Sequence, residues 1–375
     1  MKIAFYDVYN PLPINSGGDW YRFHLLSELG KEHEVSEYYA LDIQGKEGYL
    51  PPDVNFEVRH LEPKLPLAGR SRFLSILRPE YLLSPPSNGG PPDALFFSIY
   101  YYHIVKQISN ERRIPKILVV HNVEWQYLKT NRSPLYIPMK FYEDHVIRQA
   151  DAVITISQSD QAYVRAIVDE EKIFYIPPKV DTGLFNPDGA RYDFGSDRFN
   201  LLFYGSLDRE QNHEALRFIT QELAPAIRED QLHGKVRLNI FGSGIPPKHF
   251  DLENNPDINF LGQVERPADF VRAADSVIVP LKNQGGMKIR ILEALACGRP
   301  VIASTQAVLG LPKDLLEYVL VADTPDEYLD TIASLVDGWR APVIDTTSVL
   351  QSLKGRSIDN LLDYVNDRAV GAVAH

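Results

Sequence analysis

The chain has 375 residues, 44% of them apolar, with a formal net charge of −11 and a single cysteine, Cys297. That length exceeds what one hydrophobic core usually supports, so two domains are expected. One cysteine excludes an intrachain disulfide and a cysteine-built metal site, and the acid excess excludes the broad basic face that nucleic acid requires. The N-terminus runs straight into a strand-like segment without basic flank or cleavage site, and no stretch nears the ~18 apolar residues of a bilayer span, so a cytoplasmic protein is expected.

In chain order, strands are predicted over 2–8, 34–39, 94–98, 117–120 and 152–156, alternating with helices over 19–30, 101–110 and 138–149. Runs such as Ile3-Ala4-Phe5-Tyr6 and Ile117-Leu118-Val119-Val120 suit parallel strands buried on both faces. Arg70, Arg72 and Arg78 interleave with Phe73, Leu74, Ile76 and Leu77. That pattern reads equally as a helix covering the sheet or as a peripheral contact with anionic lipid at the inner face of the membrane.

Around residues 176–190 the proline- and glycine-bearing stretch Ile176-Pro177-Pro178-Lys179 to Phe185-Asn186-Pro187-Asp188-Gly189 can continue neither element type, which places a hinge there. A second series follows, with strands over 200–204, 237–241, 258–261, 276–279, 300–303 and 318–321 and helices over 212–228, 267–273, 287–297 and 325–336. The expected organisation is α/β: one domain over 1–178, a second over 179–345, and a terminal helix and tail over 346–375, the helix marked by Ile358, Leu361, Leu362 and Val365. Two doubly wound, Rossmann-like domains facing across a cleft would bind ligands at the carboxyl ends of their strands.

The segment from Pro280 to Ala303 carries the most chemistry, reading as strand, glycine turn, helix, strand. Gly285 and Gly286 would let backbone N–H groups approach a ligand where the helix dipole favours an anion. Met287, Lys288 and Arg290 follow, and two cations at a helix start, where acids are usual, point to a phosphate as the missing negative charge. Glu293, about one and a half turns beyond Lys288, is placed to accept hydrogen bonds from a ribose diol.

This segment resembles the donor-binding signature of the retaining GT-B glycosyltransferases, in particular the GT4 family (glycosyltransferases group 1). An ordered set of further matches covers nearly the whole chain: Ser16-Gly17-Gly18, His121-Asn122-Val123-Glu124, Asp151-Ala152-Val153-Ile154-Thr155-Ile156-Ser157, Tyr204-Gly205-Ser206-Leu207-Asp208, Phe241-Gly242-Ser243-Gly244 and Phe260-Leu261-Gly262. The resemblance implies that Glu293 holds the ribose, that Gly17 and Gly18 face the donor diphosphate, and that His121 lies near the transferred sugar. Gly205, Ser206 and Gly242 would sit at strand ends around the nucleotide. Three places depart from the family pattern: Gly285 stands where an acid is common, Gly205-Ser206 with Asn212 stand where Gly-Arg with a later Lys is common, and Pro177-Pro178-Lys179 stands where Pro-Asn-Gly is common at the hinge. Lys288 and Arg290 would then supply the catalytic cations, with Arg209 a weaker candidate.

The implied activity is metal-independent, retaining transfer from a UDP- or GDP-sugar to a saccharide, lipid-linked or small-molecule acceptor bound by the first domain, with no cofactor. Charge growing on the leaving phosphate would be stabilised by the cations and the helix end. The sequence contains no Asp-x-Asp pair of the kind that holds a metal in other transferases. A nicotinamide-dependent dehydrogenase would need Gly-x-Gly-x-x-Gly after the first strand, and residues 7–18 do not supply it. The competing reading is a nucleotide-sugar-binding partner of a transferase, itself without activity; the sequence does not give the oligomeric state.

Overall fold

The computed structural model describes residues 1–14, 17–41, 50–61, 90–130, 132–195, 197–282, 287–338, 344–352 and 356–373. The Arg70–Arg78 segment and the pair Gly285-Gly286 lie outside the described residues. The chain divides into two units, Met1–Pro177 together with Gly355–His375, and Pro178–Lys354.

In the first unit the strands β1 (Lys2–Tyr9), β2 (Glu34–Leu41), β3 (Glu57–His60), β4 (Ala94–Phe97), β5 (Lys116–Val120), β6 (Ala152–Thr155) and β7 (Ile173–Tyr175) form one sheet in the order β3-β2-β1-β4-β5-β6-β7. Every pairing is parallel. The unbroken apolar runs follow from burial on both faces. Ile3, Phe5, Phe96, Ile117 and Val119 pack under α1 (Gly17–Leu29), while Ala4, Tyr6, Phe97, Leu118 and Val120 pack under α2 (Tyr102–Arg112) and α4 (Tyr136–Gln149). Two short helices, α3 (Glu124–Thr130) and α5 (Gln158–Arg165), follow β5 and β6, and Ser157 caps α5 by accepting from the Asp160 N–H at 3.1 Å.

The sheet contains two strands the pattern did not predict. β3, Glu57-Val58-Arg59-His60, is a largely polar strand at the edge of the sheet, and β7 is only three residues long. The segment 346–375 also divides differently: α11 (Thr346–Ser352) stays with the second unit, and α12 (Ile358–Val373) returns to the first. There Leu361, Leu362 and Val365 join the α1-side core with Phe174, and Arg356 Nη1 donates to the Glu171 carbonyl at 3.2 Å.

The second unit pairs β8 (Phe199–Tyr204), β9 (Val236–Phe241), β10 (Ile258–Phe260), β11 (Ser276–Val279), β12 (Val301–Ala303) and β13 (Val319–Val321) in the order β10-β9-β8-β11-β12-β13, again all parallel. Its helices are α6 (Glu210–Phe218), α7 (Ala224–Glu229), α8 (Pro267–Ala273), α9 (Ile289–Ala296) and α10 (Pro325–Val336), with α11 after them. The single helix expected over 212–228 is α6 and α7 joined by a π-turn, Ile219–Leu223. Pro225, at the start of α7, has no N–H to continue the α ladder. Strand order reverses between β1 and β4 in one sheet and between β8 and β11 in the other, so the carboxyl ends of those strands are where open α/β sheets receive ligands.

Candidate functional site

The site in the second unit is built on the start of α9 and the loop after β8. Five residues of α9, Ile291, Leu292, Ala294, Leu295 and Ala296, are buried in the core and fix the helix face. At its far end the Gly298 N–H bonds the Leu295 carbonyl at 2.9 Å and the Arg299 N–H bonds the Ala294 carbonyl at 2.9 Å, a Schellman closure. Gly298 takes φ +68°, which only glycine adopts without strain, so the helix stops there. Its opposite end begins at Lys288 without a side-chain cap. The helix is thus anchored at its carboxyl end, and its polar residues gather at the other.

Arg290 lies across the end of β8. Its guanidinium carbon sits 5.3 Å from the Phe203 ring centre and 6.0 Å from that of Tyr204, and Nη2 donates to Asn212 Oδ1 at 3.0 Å. Arg290 Nη1 is buried and has no hydrogen-bond partner among the described residues. Burial pulls this guanidinium below its ordinary value, against the opposing pull of Tyr204 and Glu293. Glu293, one turn on, accepts from the Tyr204 hydroxyl at 2.8 Å, and burial raises its carboxyl to about 7 despite that bond and the Arg290 charge. Lys288 is brought down to about 8, by burial first and by Arg290 second. Two cations and one carboxylate therefore converge in a poorly solvated place, each strained away from its charged form.

The glycines of this site act by allowing close approach. A Cβ on Gly205 would stand 2.6 Å from Arg290 Nη2, and one on Gly242 would stand 1.9 Å from the Gly205 carbonyl oxygen. Their N–H groups donate to the Phe241 and Gly262 carbonyls, at 3.3 and 2.9 Å, so they tie neighbouring loops together. The buried Ser206 offers its carbonyl to Asn212 Nδ2 at 2.7 Å, and Arg209 occupies the N-cap position of α6. Met287 turns its side chain into the core, leaving its main chain to the site. Gly205, Ser206, Arg209, Gly242, Met287, Lys288, Arg290 and Glu293 all belong to this unit; Gly285 and Gly286 lie outside the described residues.

In the first unit, Gly17 and Gly18, just before the helix expected from residue 19, are the exposed opening residues of α1. His121 follows β5, with Nε2 3.2 Å from Asp7 Oδ2 and the Tyr21 ring edge-on at 5.9 Å. Asp7 also pairs with Arg22 Nη1 at 2.8 Å, and Arg22 reaches Glu37 at 3.2 Å and Asp19 at 3.4 Å. Burial would raise the Asp7 carboxyl, but Arg22 and then His121 hold it well below the usual carboxylate range. Burial likewise opposes the Arg22 charge, yet Glu37, Asp7 and Asp19 push that guanidinium above its ordinary value. Ser98, at the end of β4 and 4% exposed, has a buried hydroxyl with no partner among the described residues.

Asp7, Ser98, Tyr204 and the pairing of Asn212 with Arg290 were not singled out from sequence. Asp7 and Tyr204 each sit near the carboxyl end of the first strand of their sheet, a signal that position alone provides. Among the described residues no group of three or more His, Cys, Asp and Glu side chains is placed to hold a metal ion, and no helix is long and apolar enough to cross a membrane.

Residues 16–184 match the family described as Glycosyltransferase Family 4, and residues 198–338 match Glycosyl transferases group 1. A D-inositol 3-phosphate glycosyltransferase of Actinosynnema mirum is 30% identical over 192 residues, covering 45% of this chain and 44% of that protein. The chain thus matches about half the length of such curated relatives. Sucrose-phosphate synthase of Thermosynechococcus elongatus superposes with a TM-score of 0.72 at 18% identity, covering 100% of both chains. HepE of Anabaena, solved in complex with UDP, superposes with a TM-score of 0.62 at 15% identity, also covering 100% of both. With one match over its first unit, the other over its second, and the two-sheet GT-B fold of these neighbours, the chain belongs to the family 4, group 1 glycosyltransferases.

Proposed function

We propose that this chain transfers a sugar from a nucleoside diphosphate sugar to a hydroxyl-bearing acceptor, with the donor held by the second unit and the acceptor by the first. The observation that carries this reading is Arg290, half-buried, whose buried Nη1 has no hydrogen-bond partner among the described residues, one turn from the half-buried Glu293 and beside a helix start without a side-chain cap. A diphosphate would bring negative charge to Arg290, Lys288 and the start of α9, and Glu293 would accept from a ribose hydroxyl. UDP in HepE and the inositol phosphate in the name of the Actinosynnema relative support a uracil nucleotide and a polyol acceptor; GDP is the alternative donor nucleotide.

As the bond to the anomeric carbon breaks, charge accumulates on the leaving β-phosphate, and groups fixed in a poorly solvated place stabilise it without reorganising. Lys288 and Arg290 take that role here. Transfer is proposed to need no metal and to retain anomeric configuration by same-face attack, the leaving phosphate acting as base. His121, oriented by Asp7, would contact the transferred sugar, and Gly17 and Gly18 would face the diphosphate.

The test is release of nucleoside diphosphate from UDP- and GDP-sugars, with the product anomer read by NMR and a parallel reaction in EDTA. Release by the native chain, its loss in Arg290→Ala, an unchanged anomer and indifference to EDTA are expected. Nucleotide binding without any sugar release would leave a binding partner instead of an enzyme, and an inverted product would remove the proposed mechanism.

A further inference from the structure

Among the described residues no carboxylate holds the guanidinium of Arg290. It is held by an amide. Asn212, in the first turn of α6 and 5% exposed, donates from Nδ2 to the Ser206 carbonyl at 2.7 Å and accepts at Oδ1 from Arg290 Nη2 at 3.0 Å. These two bonds fix the amide's orientation, since a flipped amide would set a donor against the guanidinium and an oxygen against a carbonyl. Ser206 follows Gly205, whose missing side chain leaves room for the guanidinium. The amide therefore links the β8 loop backbone to the α9 cation, and does so without cancelling its charge.

We propose that Asn212 is a positioning residue for the donor pyrophosphate. It fixes Arg290 through Nη2 while leaving Nη1 and the full positive charge for a phosphate oxygen. A carboxylate in the same place would grip Arg290 more firmly and neutralise it. A cation at position 212 would bring charge to within about 3 Å of where the guanidinium nitrogen now lies, so charge supplied from either residue serves the same spot.

This inference rests on the reading of the second unit as a nucleoside diphosphate site, and the experiment separates the two. Affinity for UDP (GDP if UDP does not bind) and for the parent nucleoside is measured by calorimetry for the native chain and for Arg290→Ala, Asn212→Ala, Asn212→Asp, Arg290→Ala with Asn212→Ala, and Arg290→Ala with Asn212→Lys. Expected are a loss on the order of a hundredfold for Arg290→Ala and about tenfold for Asn212→Ala, with nucleoside affinity unchanged in both. The Ala/Ala pair should bind no more weakly than Arg290→Ala alone, and Asn212→Lys should return about tenfold to the Arg290→Ala background. Asn212→Asp, nearly isosteric and safest for folding, should lose at least as much diphosphate affinity as Asn212→Ala. Additive losses, equal weakening of nucleoside and diphosphate, unchanged binding in Asn212→Asp, or no gain from the lysine would overturn the positioning role. Native-like binding by Arg290→Ala, or no binding of either diphosphate by the native chain, would overturn the donor-site reading beneath it.

Discussion

The two sheets share a strand order around their switch points, yet the carboxyl ends of their first strands carry opposite chemistry. In the first unit Arg22 is enclosed by Asp7, Asp19 and Glu37, and its charge is held more strongly than in water. In the second, Arg290 meets an amide and two aromatic rings, and its charge is held less strongly. The first arginine completes a structure; the second keeps, among the described residues, a buried nitrogen without a partner, which the proposed function assigns to an anion. Topology decides where a site lies, and the local balance of charge decides whether the place is already satisfied.

The sharpest way to break this contrast is to remove each arginine. Arg22→Leu leaves buried carboxylates uncompensated and should destabilise the first unit by about 4 kcal/mol in denaturant unfolding. Arg290→Leu should change the stability of the ligand-free protein by less than about 1 kcal/mol while weakening nucleoside diphosphate binding on the order of a hundredfold; similar stability losses for both arginines would erase the distinction. Next in size is Gly242→Ala, whose methyl would meet the Gly205 carbonyl at 1.9 Å. A loss on the order of 3 kcal/mol is expected in the second unit's unfolding, with the first unit unaffected.

Protonation sharpens the comparison further. In the proposed donor site Glu293, raised by burial to about 7, would accept from both ribose hydroxyls when ionised, and Lys288, brought down to about 8, would attract phosphate when protonated. Nucleotide affinity should therefore peak between about pH 7 and 8, falling up to tenfold per pH unit on either side. Glu293→Gln should remove the acid limb, and Lys288→Arg should move the alkaline limb upward. In the first unit, burial raises Glu143 to about 8 and Asp160 to about 6. Groups raised in the folded state contribute stability that is full below their unfolded values and is lost as pH rises through the folded ones. Melting temperature should fall between about pH 5 and 8, and Glu143→Gln, which keeps an oxygen for the Glu124 or Trp125 N–H, should flatten the upper part of that slope.

Much of the fold was legible because buried parallel strands leave uninterrupted apolar runs, as at Ile117–Val120 and Val277–Val279. β3 escaped because an edge strand made of Glu, Val, Arg and His satisfies no periodic template, and α6 merged with α7 because a π-turn does not interrupt an apolar pattern. At the site, Lys288, Arg290 and Glu293 were visible through their spacing along one helix. Asn212 showed only as a departure from a family pattern and Tyr204 only within a strand-end match; their contacts with Arg290 and Glu293, across 78 and 89 residues of chain, did not show. The return of α12 was hidden likewise, for Leu361, Leu362 and Val365 announce a helix but not the sheet it will cover.

That return orders events during synthesis. Residues 178–354 are contiguous and contain all that their own sheet and helices require, whereas the α1-side core around Phe174 stays partly uncovered until Leu361, Leu362 and Val365 have left the ribosome. The half made first is thus the half that matures last, and in the interval its open apolar surface is what a chaperone would find.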